Sequence, residues 1–344
     1  MSSSRAKSPP ISLSELRRRA TSGELTVREL RDYFVPDNAK TKPFVPAFKL
    51  TDLVDKEGKR PTARTVTRLY FAAEGGAASP PGSVTRSRSG ARSTIAAAAK
   101  MRVLAEGDSW FRLPNLNWPT SYPDDLVDVL RKTYEIPGVA MWGAEIGPMV
   151  TTQKKNYLVP LGSGLYRHFI FSGGGNDVLA SVGEHVKRRD APGTNPADAD
   201  TFIKASFDGA IGQVIGHYQT LGGHVRSVVN PKATLYVHGY GHARPRPGGE
   251  YIGSKLEALG FDATSSLARK IVAAMVDRFN VRLKSFVAGQ NAAHTDYKIV
   301  YVNLRPTLMA ATDWNDDEIH PSDAGAAKAA AIISEKIAAN TPSA

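Results

Sequence analysis

The spacing of apolar positions changes character near residue 100. Beyond it, short apolar or β-branched runs recur at Arg102–Glu106, Val139–Trp142, Phe169–Ser172, Leu235–His238 and Ile299–Leu304. Each is of strand length and ends at Gly or a polar cluster, as buried strands do. Longer stretches with helical spacing separate them: Pro123–Tyr134, Gly147–Tyr157, Ala199–Leu221, Ala263–Phe286 and Ser322–Ala339. Strands alternating with helices predict an α/β fold with a five-stranded parallel sheet. Sites in such folds gather at the carboxyl ends of the strands.

The first hundred residues follow another rule. Ser12-Leu13-Ser14-Glu15 and Thr26-Val27-Arg28-Glu29 both fit a capping box. Leu13, Leu16 and Ala20 line one helical face, and Val27, Leu30 and Phe34 a second, with Gly23 between. The pattern predicts a small helical hairpin. Arg17, Arg18 and Arg19 make a helix-turn-helix the alternative, but the helices are short and no third follows, so a packing or docking element is preferred. Pro36–Pro46 reads as extended, and Val66–Ala72 alternates as a strand would. Residues 74–94 have linker composition, with Gly75-Gly76, Pro80-Pro81, Arg86, Arg88 and Arg92. The expected organisation is an appendage over 1–73, a linker over 74–100 and the main domain over 101–344.

Composition narrows the function classes. With 344 residues the chain can bury a sizeable core. It has no cysteine, which excludes disulfides, thiolate metal sites and a cysteine nucleophile. Met1–Ser14 lacks the apolar core of a signal peptide, and no run has the length of a membrane span. The expected location is therefore cytoplasmic by default, with non-classical export as the alternative. The net charge of +11 is uneven: residues 1–100 hold 19 Lys and Arg against 9 Asp and Glu, a surplus of 10. Such a segment suits a protein or anionic partner, or is simply a solvated arm.

Chemistry enters at Val103-Leu104-Ala105-Glu106-Gly107-Asp108-Ser109-Trp110. An apolar run ends in Gly-Asp-Ser, placing a hydroxyl where a strand hands over to a helix. Alone, this is an ordinary turn with a capping serine. Three further blocks sit at later strand ends or near the C-terminus: Trp142-Gly143-Ala144-Glu145, Ser172-Gly173-Gly174-Gly175-Asn176-Asp177, and Asp317-Glu318-Ile319-His320-Pro321. Together, in this order, they resemble the SGNH (GDSL-like) hydrolase family of esterases and lipases over residues 101–340; residues 1–95 carry no such resemblance.

The resemblance implies a three-layer, flavodoxin-like fold and a serine esterase working through an acyl-enzyme. It assigns Ser109 as nucleophile, His320 as base and Asp317 as the carboxylate orienting the base, with Ser109, Gly143 and Asn176 as oxyanion donors. The physics agrees, because a serine hydroxyl needs a neutral imidazole to take its proton and the imidazole needs its other nitrogen held. Asp316 and Glu318 compete with Asp317 as that carboxylate, and spacing favours Asp317. No metal or organic cofactor is required. Trp110, Tyr240 and His242 are candidates for contacting substrate, which would be a small-molecule, lipid or carbohydrate ester. The same site could pass the acyl group to an alcohol, as an acyl- or acetyltransferase does. A non-catalytic binding protein using the basic N-terminal arm is the remaining alternative.

Overall fold

The computed structural model describes residues 8–22, 24–25, 27–36, 48–62, 65–66, 69–70, 100–111, 124–136, 145–179, 181–192, 194–228 and 233–341. The chain divides into two compact units, residues 1–99 and 100–344.

In the first unit, β1 (Ile11–Ser12) leads into α1 (Leu13–Ser22), followed by α2 (Val27–Tyr33), β2 (Phe34–Pro36), β3 (Phe48–Leu50) and β4 (Val54–Asp55). Strand β1 pairs parallel with β4, and β2 antiparallel with β3. The Ser12 hydroxyl accepts from the Glu15 N–H at 3.2 Å, so Ser12 caps α1 where the sequence predicts, while the Glu15 carboxylate binds Arg18. Leu13, Leu16 and Ala20 are buried. Phe34, grouped by spacing with the second helix, instead opens β2. Arg18 pairs with Glu15 and Glu24, and Arg19 with Glu29, so part of the hairpin's positive charge is neutralised locally.

The strand expected at Val66–Ala72 is not one at its described positions: 65–66 and 69–70 are helical. Thr62 Oγ1 accepts from the Thr65 N–H at 3.2 Å, as an N-cap does. Val66 and Tyr70, four apart, share a helical face and are both buried, with Tyr70 stacked on Phe48 at 4.0 Å. Over so short a stretch that spacing satisfies period 2 as well as period 3.6. Residues 37–46 of the expected extended segment, and the expected linker over 74–94, lie outside the described residues.

In the second unit, β5 (Val103–Glu106), β6 (His168–Phe171), β7 (Thr234–His238) and β8 (Lys298–Val302) pair side by side in that order, all parallel. Every residue of β5, β6 and β7 is buried, which is why these strands read as apolar runs rather than alternating ones. The expected fifth strand, Val139–Trp142, lies outside the described residues; just before it, Glu135 bridges Arg102 in parallel.

The helices are α3 (Leu126–Leu130), α4 (Ile146–Val150), α5 (Lys155–Gly162), α6 (Gly175–Leu179), α7 (Val182–His185), α8 (Ser206–Ser227), α9 (Gly253–Ala258), α10 (Ser266–Ala293) and α11 (Asp323–Ala338). Helix α8 packs on α4, α5 and α10, while α11 packs on α3; both α10 and α11 also meet β8. The result is the expected three-layer α/β arrangement. Buried Phe207, Ile211, Val214, Tyr218, Leu221 and Val225 recur every three or four residues along α8, giving it one continuous core face.

Two predicted helices are interrupted. The stretch Gly147–Tyr157 becomes α4 and α5, broken where Thr151 and Thr152 turn their hydroxyls back onto the carbonyls of Gly147 and Pro148. The stretch Ala199–Leu221 becomes a 3₁₀ turn at Ala199–Phe202 and then α8. Among the described residues, no helix is long and apolar enough to cross a membrane.

Candidate functional site

Strands β5, β6 and β7 each end in a loop on the same edge of the sheet, because all run parallel. Their loops are tied together by hydrogen bonds. The Asp108 N–H donates to the Ser172 carbonyl at 3.2 Å, and the Ser172 N–H to the Glu106 carbonyl at 3.1 Å. Gly107 must be glycine: a Cβ there would lie 2.7 Å from that of Ser172. Asp108 is the hub. Its Oδ1 accepts from the Ser172 hydroxyl at 2.6 Å and the Trp110 N–H at 3.1 Å, and its Oδ2 from the Tyr240 hydroxyl at 2.6 Å. The Tyr240 oxygen in turn accepts from the Gly175 N–H at 3.0 Å. One buried phenol thus joins the serine turn after β5 to the glycine-rich block after β6.

The other half of the site is a closed turn near the C-terminus. Trp314 and Pro321 form an antiparallel bridge, and the Asn315 N–H donates to the His320 carbonyl at 2.8 Å. Within it, Asp317 Oδ1 accepts from the N–H of His320 at 3.1 Å and of Ile319 at 3.3 Å. That leaves Oδ2 facing His320 Nδ1, at 2.6 Å. His320 Nε2 lies 2.6 Å from Ser109 Oγ. The imidazole is fully buried and Ser109 nearly so. Burial alone would raise the Asp317 carboxyl, but the His320 charge and hydrogen bonds outweigh it and hold the group below its ordinary value. A carboxylate, an imidazole and a hydroxyl in line can move a proton from oxygen to nitrogen as the hydroxyl attacks a carbon.

The remaining predicted residues are placed as follows. Asn176 is the second residue of α6, buried directly after the glycine-rich block. Gly143 lies outside the described residues. Trp110 is buried edge-on against Tyr240 at 5.1 Å and Trp314 at 6.0 Å. Tyr240 is buried too, with its hydroxyl committed to Asp108 and Gly175. Half-exposed His242 pairs through Nε2 with Asp277 at 2.9 Å, and Asp277 also binds Arg305. His238 lies under Trp110 and Phe111. Burial keeps its pKa below the ordinary value, and its Nδ1–H donates to the Gly239 carbonyl. Among the described residues, no three His, Cys, Asp or Glu side chains converge to hold a metal ion.

Sequence reasoning missed three supports. Asn280, a polar residue on the buried face of α10, grips both backbone groups of Tyr240, accepting at 3.0 Å and donating at 2.8 Å. An Asn interrupting an apolar helical stripe is the signal that was there to read. Tyr251 sets its ring perpendicular to that of His320, with centroids 6.2 Å apart. Glu318, weighed only as a rival to Asp317, points the other way, into the loop before α9.

Two expectations follow from the buried polar groups. Replacing Tyr240 by Phe strips a partner from Asp108 and leaves the Gly175 N–H unpaired. Stability should fall by about 2–4 kcal/mol, read from urea denaturation; a change within about 0.5 kcal/mol, the size of an inconsequential surface substitution, would mean the phenol is not holding the loops together. The second concerns Asp177, beside Asn176. Burial pushes its carboxyl up to about 6, opposed by the Ile146 N–H at 3.2 Å and reinforced by Glu145. A raised carboxyl pKa favours the protonated fold, so stability is lost as pH climbs from the unfolded value through about 6. Asp177→Asn, which can still accept from Ile146, should therefore be more stable than the parent at pH 8 by up to about 3 kcal/mol. The gap should close near pH 4, and an offset constant from pH 4 to pH 8 would show the carboxyl is not the cause.

No family model and no curated protein matches this chain. Solved structures similar to it include the lipase Lip_vut3 from a goat rumen metagenome, at 14% identity and a TM-score of 0.45, covering 69% of this chain and 97% of that one. Phospholipase A1 from Streptomyces albidoflavus is 16% identical, with a TM-score of 0.43, over 69% of this chain and all of that one. The Clostridium thermocellum family 3 carbohydrate esterase is 15% identical, with a TM-score of 0.42, over 70% and 97% of the two chains.

Proposed function

We propose that the chain is a serine esterase of SGNH type that hydrolyses carboxylic esters through an acyl-enzyme. The observation that carries this reading is the unbroken line from Asp317 through His320 to Ser109, with both contacts at 2.6 Å. The four sequence blocks, in the order of the family they resemble, support it independently.

In this reading His320 Nε2 takes the Ser109 proton as Oγ attacks the ester carbonyl. Asp317 stabilises the imidazolium and holds its tautomer. The Asn176 amide, with the backbone N–H groups of Ser109 and Gly143, receives the developing oxyanion. The imidazolium protonates the departing alkoxide, and water, deprotonated by the same nitrogen, releases the acid and frees Ser109. In the same reading Trp110 borders the acyl site from its aromatic layer with Tyr240 and Trp314, and Tyr240 serves the site by holding Asp108 rather than by touching substrate.

The test is hydrolysis of p-nitrophenyl esters of graded acyl length, together with mass-mapped labelling by a fluorophosphonate. Turnover of short esters and a label on Ser109 support the reading; a label on any other residue overturns it.

A further inference from the structure

Glu318 stands out in the backbone. Its φ of +78° is one of only two positive values at non-glycine positions among the described residues. L side chains avoid that region, so a residue kept there is held by its surroundings. The surroundings are visible. Oε1 accepts from the N–H groups of Arg246 at 2.7 Å and Gly253 at 2.8 Å; Oε2 accepts from Tyr251 at 3.0 Å and Ile252 at 2.9 Å. The Glu318 carbonyl takes a fifth, from Arg244 at 3.0 Å. All five donors belong to one segment, residues 244–253, and the carboxylate is completely buried against it.

The segment is shaped around this carboxylate. A Cβ on Gly249 would overlap the Glu318 carboxyl group, and one on Gly253 would overlap the Arg246 carbonyl. An exposed ion pair from Arg246 to Asp316 spans the same two segments, but being solvent-facing it adds little to the grip of the buried carboxylate. Glu318 also lies between Asp317 and His320 in the chain, so its backbone sets the path joining them. The segment it grips carries Tyr251, whose ring stands against the His320 imidazole.

We infer that Glu318 is a positioning residue, a clamp that fixes loop 244–253 to the Asp317–His320 turn and through both keeps the imidazole aligned on Ser109. The inference rests on the esterase reading for its kinetic consequence, though not for the clamp itself. Four backbone donors around two carboxylate oxygens leave no room for substitution. The change Glu318→Gln would turn an NH2 group toward two N–H donors, and Glu318→Gly would ease the backbone but take the carboxylate away from all four donors. A role limited to the turn's conformation makes the opposite forecast, since glycine suits a positive φ best.

The experiment compares Glu318→Gln, Glu318→Gly and Gly249→Ala with the parent, using p-nitrophenyl acetate and hydrogen exchange over peptides spanning 244–253. Gly249→Ala presses on the carboxylate from the far side while changing no residue of the turn, which covers the case where the Glu318 variants fail to fold. The clamp predicts kcat lower by about 10- to 100-fold in all three, KM within about threefold, and exchange of the 246 and 251–253 amides at least 100-fold faster, because a lost positioning contact acts on the transition state rather than on ground-state binding. Glu318→Gly or Gly249→Ala with parental kcat, or unchanged exchange in the loop, overturns it. Ser109→Ala run in parallel separates the two ideas: if that variant keeps activity the esterase reading fails, and loop exchange alone then decides the clamp.

Discussion

Ser109→Ala should abolish ester hydrolysis, lowering kcat by at least about 10⁴-fold, which corresponds to about 5.5 kcal/mol of transition-state stabilisation. In the proposed mechanism alanine removes the oxygen that forms the acyl-enzyme and leaves the proposed oxyanion donors in place. What stays is the weaker catalysis such donors give to direct attack by water. The fold should survive. Ser109 Oγ is hydrogen-bonded to His320 Nε2 at 2.6 Å, so the variant leaves a buried ring nitrogen short of that hydrogen bond. The loss costs on the order of 1–3 kcal/mol, visible as a modest drop in Tm and not as unfolding. The parent should take up one fluorophosphonate group per chain and the variant none. Rates within tenfold of the parent, in protein that folds normally, would remove Ser109 from the mechanism.

The parts of this molecule that were legible in its residues are those set by periodicity. Strands β5, β6, β7 and β8 are apolar runs ended by glycine or polar clusters, and α8, α10 and α11 are long amphipathic repeats. From these alone the parallel sheet and the loops at its carboxyl edge could be placed. The short elements were less legible, because two residues four apart, such as Val66 and Tyr70, satisfy either period. The Thr151-Thr152 break was hidden for a different reason: hydroxyls returning to the helix backbone alter its course without altering the apolar pattern.

The site divides along the same line. Residues with distinctive chemistry at fixed spacing, Ser109 and the Asp317–His320 pair, stand out in the sequence, and the fold brings them into contact across 211 positions. Their supports do not stand out. Tyr240 reaches Asp108 from 132 positions away, and Glu318 reaches its partners from 65 to 72 away. In the second case those partners are backbone N–H groups, which every residue but proline has. A carboxylate that binds only backbone leaves no signature in its partners' identities beyond the glycines its bulk demands. The positive φ of Glu318 is likewise invisible until the chain is folded.

Asp317→Asn tests the part of the reading that geometry makes sharpest. Asp317 Oδ1 is already engaged by the N–H groups of Ile319 and His320, which only an oxygen can accept. An asparagine here is therefore fixed with its oxygen toward the backbone and its NH2 toward His320 Nδ1. Donating to Nδ1, it forces the imidazole proton onto Nε2, the nitrogen that in the proposed mechanism accepts from Ser109 Oγ 2.6 Å away. The base is then present, in place and in the wrong tautomer. The expected loss is about 10⁴-fold in kcat with KM little changed. The backbone contacts persist, so the turn should remain folded at neutral pH. The acid limb gives a second reading. A carboxyl held below its ordinary pKa adds stability above its unfolded value, and that stability disappears as pH falls through the folded value. The parent should thus lose stability more steeply than the variant below about pH 4, the carboxylate's unfolded value. Asp316, exposed and paired with Arg246, lies outside this chemistry, and Asp316→Asn should keep kcat within about threefold, as surface ion pairs contribute little. If Asp317→Asn instead stays within tenfold of the parent, the imidazole takes its tautomer from some other group, and the line from Asp317 to Ser109 is not the catalytic one.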